Sequence, residues 1–372
     1  MTYRRNRLAV AAYGMLMRFA ARLQAFPAGM VPPPFRLLQI GSAFWLSRAL
    51  HAATVLALAD HLDEETLSAN ALATRAGVAV DPLNRLMRML AANGVFEEME
   101  QGRYRNNRVS ACLRRDAPGS VRDMVLLHNS DEMSMPWYQG LLPGLRDNRV
   151  PFEVVHGSEL FAYLDQHPAF DQAFAVAMDQ VEALLGDSFA TDFDWGRFRR
   201  VIDIGGSRGS KAIAILKRWP HLSALVFDRA QMVETLSLAP VADPALSARI
   251  SWQGGDMFES VPEARDAQDV MLLSAVLHGL SDEDALRCLL RVAQGVGSSG
   301  ARVLVMEMVV PACRADAAVT GFDMQMLVGS RGKERTLAQW RALFACAGFA
   351  LEEQVPLRGL GSLLVLQHDA GA

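Results

Sequence analysis

The spacing of apolar positions predicts a helical start to the chain. Helical periodicity covers roughly residues 37–62, and a second helix is predicted over 66–76. A third helix is predicted from Asp81-Pro82, which we interpret as an N-cap and first-turn pair, to a stop at Asn93-Gly94.

A β-hairpin is predicted directly after this third helix. Residues 95–99 and 104–106 have strand-like composition and are separated by a Gln101-Gly102 turn. Two helices followed by a hairpin are typical of a winged helix. We expect residues 118–195 to be mostly helical.

From residue 200 the pattern changes to short apolar runs that alternate with helical stretches. The runs are Val201–Ile204, Ala224–Phe227, Ile250–Gln253, Val270–Leu273 and Arg302–Met306. Strands that alternate with helices predict βαβ units and a parallel sheet, so we expect an α/β, Rossmann-like doubly wound fold here.

Length and composition indicate a globular protein with more than one domain. The chain has 372 residues, 51% hydrophobic and 21% charged, with a formal net charge of -4. Its four cysteines lie far apart without a CxxC, which argues against a zinc cage or disulfide framework and predicts no metal site. We therefore expect a cytoplasmic protein.

Charge is distributed unevenly along the chain. The first 59 residues contain seven arginines and no acid, so they carry +7 and the remainder carries -11. We interpret the apolar, arginine-rich start as an amphipathic helix packed on a partner subunit. Contact of residues 1–30 with a membrane surface and a targeting role are less favoured alternatives.

The winged-helix pattern raises the question of DNA binding. Residues 60–113 hold eight acids and six arginines, and the hairpin carries Glu97, Glu98 and Glu100. Since neutralising phosphates supplies most non-specific affinity for DNA, we expect no nucleic-acid partner. A winged-helix regulator is retained as the least favoured alternative.

The most distinctive motif is a strand that runs into a glycine turn and then a helix. Residues 201–210 read Val-Ile-Asp-Ile-Gly-Gly-Ser-Arg-Gly-Ser, with Asp203, Gly205 and Gly206 at the turn. Glycine permits a tight turn and close approach of a ligand to the backbone. The spacing matches neither GxGxxG nor a P-loop, which disfavours a pyrophosphate or triphosphate ligand.

Two acids follow the next strands. Asp228 ends the second apolar run, where an acid can bind both hydroxyls of a ribose. Asp256 follows the third run and could accept a hydrogen bond from an adenine amino group, with Met257 packed on the ring. Ribose and adenine contacts without a phosphate loop indicate S-adenosylmethionine (SAM). Helix capping is the alternative interpretation of each acid.

Taken in order, these motifs resemble the cation-independent, SAM-dependent O-methyltransferases of plants and of bacterial natural-product pathways. The resemblance covers about residues 37–368 and rests on the following segments: Asp203-Ile204-Gly205-Gly206, Asp228, Gly255-Asp256-Met257-Phe258, Leu277-His278, Ser281-Asp282-Glu283, Glu307 and Gly332-Lys333-Glu334-Arg335-Thr336.

The resemblance implies a role for each matching position. His278 falls on the general base, and Glu307 and Glu334 fall on the acids that orient it. The implied cofactor-binding residues are Asp203, Gly205, Gly206, Asp228, Asp256, Met257, Phe258 and Ser274. The implied substrate-binding residues are Phe170, Phe174, Met178, Asp323 and Met326.

Three positions depart from the family pattern. Ser207 replaces the central glycine of the turn, and Ser274 stands where the family often has lysine. Gly279-Leu280 replaces the Asp-Trp pair that follows the base, which loosens the wall beside His278.

The resemblance also implies a domain organisation and partners. We expect an N-terminal helical extension (1–36), a winged-helix-like dimerisation domain (37–115), a helical linker and substrate-pocket region (116–195) and a SAM-binding methyltransferase domain (196–372). The expected oligomer is a homodimer. The expected reaction is methylation of a hydroxyl group, phenolic in our interpretation, on a small aromatic secondary metabolite. The expected by-product is S-adenosylhomocysteine (SAH). A hydroxylase, decarboxylase or cyclase of the same fold, which binds SAM without methyl transfer, is the main alternative.

Overall fold

The computed structural model describes residues 8–16, 19, 23, 30–236, 243–359 and 361–369. The chain divides into two compact units, one of residues 22–184 and one of residues 1–21 and 185–372. Residues 8–16 are helical, with Val10 buried and Leu8, Met15 and Leu16 exposed. Most arginines of the predicted N-terminal helix lie outside the described residues.

The unit of residues 22–184 is mainly helical and begins with three short helices. Its elements are α1 (Pro33–Gly41), α2 (Ala43–Val55), α3 (Leu58–Leu62), β1 (Leu67–Ser68), α4 (Ala69–Ala76), α5 (Val80–Ala92), β2 (Phe96–Met99), β3 (Arg103–Asn106), α6 (Arg122–His128), α7 (Asp131–Met135), α8 (Leu141–Asp147), α9 (Pro151–His156), α10 (Leu160–Gln166) and α11 (Pro168–Leu185).

The predicted winged-helix pattern is present, with one additional strand. β2 and β3 form the hairpin in the register Phe96↔Asn106 to Met99↔Arg103. β1 pairs with β3 on the other side, so the sheet order is β1-β3-β2. The two helices and the sheet share a core that includes Leu72, Met87 and Leu90.

Two predicted helix starts differ from the structure. The second helix begins at Ala69 rather than at 66, because Leu67 and Ser68 pair with β3 and the Ser68 hydroxyl caps the helix by accepting from the Ala71 amide. Asp81 is not an N-cap: α5 begins at Val80 with Ala79 as its N-cap, so Asp81 lies in the first helical turn.

The second unit contains the sheet that the apolar runs predicted. Its elements are α12 (Phe189–Asp192), β4 (Arg200–Ile204), α13 (Ser210–Arg218), β5 (Ser223–Asp228), α14 (Ala230–Leu236), α15 (Pro244–Ser247), β6 (Ile250–Gly254), β7 (Asp269–Ser274), α16 (Asp282–Val296), β8 (Arg302–Glu307), β9 (Val309–Val310), α17 (Ala317–Gly329), β10 (Arg335–Thr336), α18 (Leu337–Cys346), β11 (Phe349–Pro356) and β12 (Ser362–His368).

Seven strands form one mixed sheet in the order β11-β12-β8-β7-β4-β5-β6. The five predicted strands, β4 to β8, pair parallel with one another. β12 pairs antiparallel with β8, and β11 pairs antiparallel with β12, a hairpin that the sequence analysis did not identify. One apolar cluster covers each face of this sheet.

This topology brings the candidate site residues to one edge of the sheet. The carboxyl ends of parallel strands lie at the same edge, where ligands bind in open α/β sheets. β4 ends in the glycine turn, β5 in Asp228, β7 in Ser274 and β8 in Glu307.

Neither a membrane-spanning helix nor a metal cluster is found in the described part of the chain. None of its helices combines the length and the apolar character that crossing a bilayer requires. Within the same residues, no group of three or more His, Cys, Asp or Glu side chains is arranged to hold a metal ion.

Candidate active site

The glycine turn after β4 leaves no room for a side chain at its first two positions, Gly205 and Gly206. Gly205 has φ of +71°, and a Cβ there would lie 2.7 Å from Cγ2 of Val276. A Cβ on Gly206 would lie 2.7 Å from the carboxyl carbon of Asp203, which is fully buried in β4. The turn therefore needs glycine for its left-handed backbone and for its close packing.

Ser207 occupies the centre of this turn in a strained conformation. Its φ is +47°, in the left-handed region that non-glycine residues rarely adopt. Its amide donates to Oδ2 of Asp228 at 2.7 Å, which ties the turn to the end of the neighbouring strand.

Asp228 and Asp256 both accept hydrogen bonds from backbone amides. Asp228 accepts from the amides of Ser207 and Arg229, one on each carboxylate oxygen. Asp256 accepts from the Phe258 amide at 2.8 Å. These bonds are not helix caps, since no helix begins directly after Asp256 and Arg229 precedes α14. A carboxylate has about four acceptor sites, so each retains capacity for a ligand.

The other predicted cofactor positions surround these acids. Met257 and Phe258 are partly buried against the sheet core, and the Arg287 guanidinium lies 4.3 Å from the centroid of the Phe258 ring. Gly255 packs closely, since a Cβ there would lie 2.6 Å from the Phe227 ring. Ser274 ends β7 and is half-buried.

These residues fit the nucleoside part of SAM. The edge offers a glycine turn whose backbone can line a ligand site. It also offers two strand-end carboxylates that can accept from hydroxyl or amino donors, and an apolar surface at Met257. A metal-binding cluster is not part of this edge among the described residues.

His278 lies on a short turn after β7, next to two buried carboxylates. The turn spans Leu277–Gly279. Oε1 of Glu307 accepts from three consecutive amides, those of Val276 (3.0 Å), Leu277 (2.9 Å) and His278 (3.3 Å). Glu307 therefore holds the backbone of the turn, while its Oε2 lies 4.0 Å from Nδ1 of His278.

Glu334 makes the direct contact with the imidazole. Its Oε1 lies 2.8 Å from Nδ1 of His278, and its own amide donates to Oδ1 of Asp323 at 2.9 Å. Both carboxylate side chains are almost fully buried, whereas the His278 side chain is 24% exposed. A carboxylate at Nδ1 leaves Nε2 as the nitrogen that can take a proton.

The carboxylates make His278 a stronger base than an isolated histidine. Burial alone would lower the pKa of His278, but the charge of Glu307 and the hydrogen bond and charge of Glu334 outweigh it and raise the pKa to about 9. For Glu307, burial raises the pKa, and the charge of His278 acts in the opposite direction. The pKa of His278 thus lies well above the ordinary pKa of histidine, about 6.5.

The structure brings together several of the predicted site residues. His278, Glu307, Glu334 and Asp323 form one cluster, although Asp323 had been assigned to the substrate pocket. Met326 is half-buried on the same helix, α17.

The remaining positions predicted to bind the substrate lie in the other unit. Phe170, Phe174 and Met178 are spaced four apart on α11, where Phe170 is buried and the other two pack against the same cluster.

Three contributors to this cluster were not assigned roles from the sequence. Arg335 and Gly332 contact the turn that carries His278, and Asp282 accepts a hydrogen bond from Arg335. All three lie in segments that carried the family resemblance, so the motifs themselves were the available signal.

Comparison with protein families gives two matches. Residues 138–350 match an O-methyltransferase domain, and residues 38–116 match an O-methyltransferase dimerisation domain. The first match includes His278, Glu307, Asp323 and Glu334.

Similar proteins are methyltransferases of natural-product pathways. The phenazine O-methyltransferase PhzM of Lysobacter antibioticus is 30% identical over 88% of this chain and 94% of its own length. The 3-amino-4-hydroxybenzoate 4-O-methyltransferase of Streptomyces cremeus is 30% identical over 87% of both chains. Among solved structures, NcsB1 from neocarzinostatin biosynthesis, in complex with SAM and 2-hydroxy-5-methyl naphthoic acid, is 29% identical with a TM-score of 0.73, covering 87% of this chain and 95% of that one.

Proposed function

This chain belongs to the SAM-dependent O-methyltransferase family, and from that premise we propose that it methylates a phenolic hydroxyl of a small secondary metabolite. In this proposal His278 is the general base, Glu334 orients its ring and Glu307 holds its turn. The 2.8 Å contact between Glu334 and Nδ1 of His278 is the observation that carries the proposal.

Methyl transfer from SAM to a phenol needs the protein to position the two reactants and to remove the phenolic proton. Bound SAM supplies a methyl group already activated on a sulfonium. A phenol has a pKa of about 10 and is a poor nucleophile at neutral pH. Because the pKa of His278 is about 9, transfer of the phenolic proton to Nε2 is close to balanced. Glu334 stabilises the imidazolium that forms.

The cofactor assignments belong to the same proposal. Gly205 and Gly206 provide the backbone surface of the turn, Asp228 accepts from the ribose hydroxyls and Asp256 from the adenine amino group, with Met257 on the ring. Asp203 and Phe258 support the turn and the strand end, and Ser274 lines the cofactor site. The geometry of the turn and its contact with Asp228 support this assignment.

The acceptor class is inferred from chemistry and from the relatives. Phe170, Phe174, Met178 and Met326 are aromatic or polarisable side chains that suit a flat acceptor. The names of two similar proteins contain hydroxylated aromatic acids, a hydroxybenzoate and a hydroxy-naphthoic acid. Both observations support a small aromatic substrate.

The test is the His278→Ala variant, with His221→Ala as a matched control because His221 is exposed and follows α13. Purified proteins are incubated with SAM and a panel of hydroxybenzoates, hydroxynaphthoates and hydroxyphenazines. SAH and methylated product are measured by chromatography and mass spectrometry. We expect His278→Ala to retain its affinity for SAM and to lose ~10²–10⁴-fold in kcat.

Three outcomes would contradict the proposal. Unchanged kcat in His278→Ala would remove the base assignment. Product that carries its new methyl on nitrogen would remove the phenolic acceptor. Product formation with SAM left intact would favour the alternative of a same-fold enzyme that does not transfer methyl.

The proposed oligomer is a homodimer. The match of residues 38–116 to a dimerisation domain supports it, and so does a row of exposed apolar side chains on α1 and α2. These side chains are Phe35, Leu37, Leu38, Ile40, Phe44 and Trp45.

A further inference from the structure

The segment of residues 332–335 lies against the turn that carries His278 and contacts it at three points. At Gly332 the two backbones are so close that a Cβ would lie 2.0 Å from the His278 carbonyl oxygen. At Glu334 the contact is with the imidazole itself. The third contact, through Arg335, has no role in the mechanism described above.

Arg335 is fully buried and donates to both ends of the turn. Its Nη1 lies 2.8 Å from the Leu277 carbonyl oxygen, and its Nη2 lies 2.9 Å from the Leu280 carbonyl oxygen. These two carbonyls bracket His278 and Gly279. The guanidinium therefore fixes the span of backbone that carries the base.

The charge of Arg335 is paired with one carboxylate, which Arg335 shares with Lys333. Nε donates to Oδ1 of Asp282 at 2.9 Å, and the guanidinium carbon lies 5.0 Å from the centroid of the Trp340 ring. Lys333 pairs with the other oxygen of Asp282. A buried charge without such partners would be strongly destabilising, so this arrangement is built for a guanidinium.

The fork of arginine is essential to this geometry. A guanidinium is planar and presents several donors at fixed angles, so it can span two carbonyls. Lysine offers a single ammonium and cannot hold both ends of the turn in the same way.

We infer that Arg335 is a positioning residue for His278, which sets the distance between the imidazole and Glu334 by holding both ends of the turn. The inference rests on the proposed role of His278 as base. Arg335 itself contacts backbone and Asp282 rather than the reacting groups.

The charged groups around the imidazole define what a change at Arg335 should do. Glu307 faces it from β8, and Glu334 faces it from the segment before β10. Asp323 on α17 holds the Glu334 amide, and Asp282 holds Arg335. If the turn shifts, Nδ1 moves away from Glu334, and the pKa of His278 falls. If Arg335 acted only through its positive charge, its removal would raise that pKa.

The experiment compares Arg335→Lys and Arg335→Met with the control Arg249→Met. Arg249 donates to three backbone carbonyls, those of Leu216, Leu222 and Ala245, where Arg335 donates to two. Arg249 lies before β6, at the opposite end of the strands. The His278 pKa is measured by NMR of ¹³C-labelled imidazoles in the full-length SAH complex. SAM affinity, Tm and kcat with a phenol from the panel are measured alongside.

In both Arg335 variants we expect a His278 pKa below the wild-type value and SAM affinity within about twofold. We expect kcat to fall ~10²-fold in Arg335→Met and less in Arg335→Lys, because a displacement of about 1 Å can cost this much. Arg249→Met should lower Tm without moving the His278 pKa.

Each other outcome overturns the inference. A wild-type His278 pKa in Arg335→Lys, or a raised one in Arg335→Met, contradicts positioning; so does a loss of kcat that merely follows Tm, as in the control. If Arg335→Met does not fold, Arg335→Lys decides alone. Unchanged kcat in His278→Ala would instead refute the base assignment. The His278 pKa measured by NMR would still show whether Arg335 sets the contact between His278 and Glu334.

Discussion

Two buried carboxylates act on His278 through different atoms. Glu334 contacts the ring at Nδ1, whereas Glu307 accepts hydrogen bonds from three consecutive backbone amides of the turn. One sets the orientation and basicity of the imidazole, and the other fixes the backbone from which it projects. Both raise the pKa of His278 through their negative charge.

The first prediction concerns the pH dependence of turnover. The base must be neutral to accept a proton, so kcat/KM should rise with pH until about 9. Glu334→Gln removes a charge that favours the imidazolium, and the rising limb should therefore shift to lower pH while kcat falls. Glu352→Gln is the control, because Glu352 pairs with Arg302 on the sheet. An unmoved limb in Glu334→Gln would contradict the assignment.

The second prediction concerns stability. The pKa of His278 is about 9 in the folded state and about 6.5 in the unfolded chain. Its contribution to the free energy of unfolding is thus fully present below pH 6.5 and is lost as pH rises through 9. Urea unfolding at pH 6.5 and pH 9 measures it. His278→Gln should lose less stability over this interval than wild type; an equal loss in both would exclude this source.

Much of the cluster around His278 could be predicted from ordered motifs. His278, Glu307 and Glu334 were identified and lie together, although which carboxylate touches the ring was not evident. Arg335 was missed because its role depends on burial and on carbonyls more than 50 residues earlier in the chain. Residue type alone does not separate such an arginine from an exposed one.

At the scale of elements, the glycine turn after β4 gives the third prediction. Gly205→Ala forces a Cβ into a left-handed backbone and to within 2.7 Å of Val276. We expect SAM affinity to fall at least tenfold by calorimetry, because the turn must shift. Gly279→Ala is the control, since its Cβ would meet no atom within 4 Å. Equal SAM affinity in the two variants would mean that the turn does not line the cofactor site.

The strands show which patterns are informative. β4, β5, β6, β7 and β8 were predicted because apolar runs alternating with helical stretches are typical of a parallel sheet covered on both faces. β11 was missed because charged Glu352 and Glu353 interrupt its pattern, where the pairing with β12 shifts register. The N-cap at Asp81 was wrong because helix α5 starts one residue earlier.

For the whole molecule, the fourth prediction concerns the proposed homodimer. Leu38 and Trp45 are 68% and 59% exposed in the single chain and lie within the matched dimerisation domain. A buried carboxylate is costly in an apolar interface. The double variant Leu38→Glu, Trp45→Glu should therefore sediment as a monomer at micromolar concentration.

The matched control for this experiment is Leu145→Glu. Leu145 is similarly exposed on α8 but lies outside the matched dimerisation domain. It should sediment like wild type. A dimeric double variant would place the interface on another surface.

The division of the chain into two units has an evolutionary consequence. His278, both carboxylates and the glycine turn belong to one unit, while Phe170, Phe174 and Met178 belong to the other. Under the proposed function, substitutions on α11 would change which acceptor is methylated and would leave the proposed base and its carboxylates unaltered. A lineage of such enzymes would keep its reaction and diversify its acceptors.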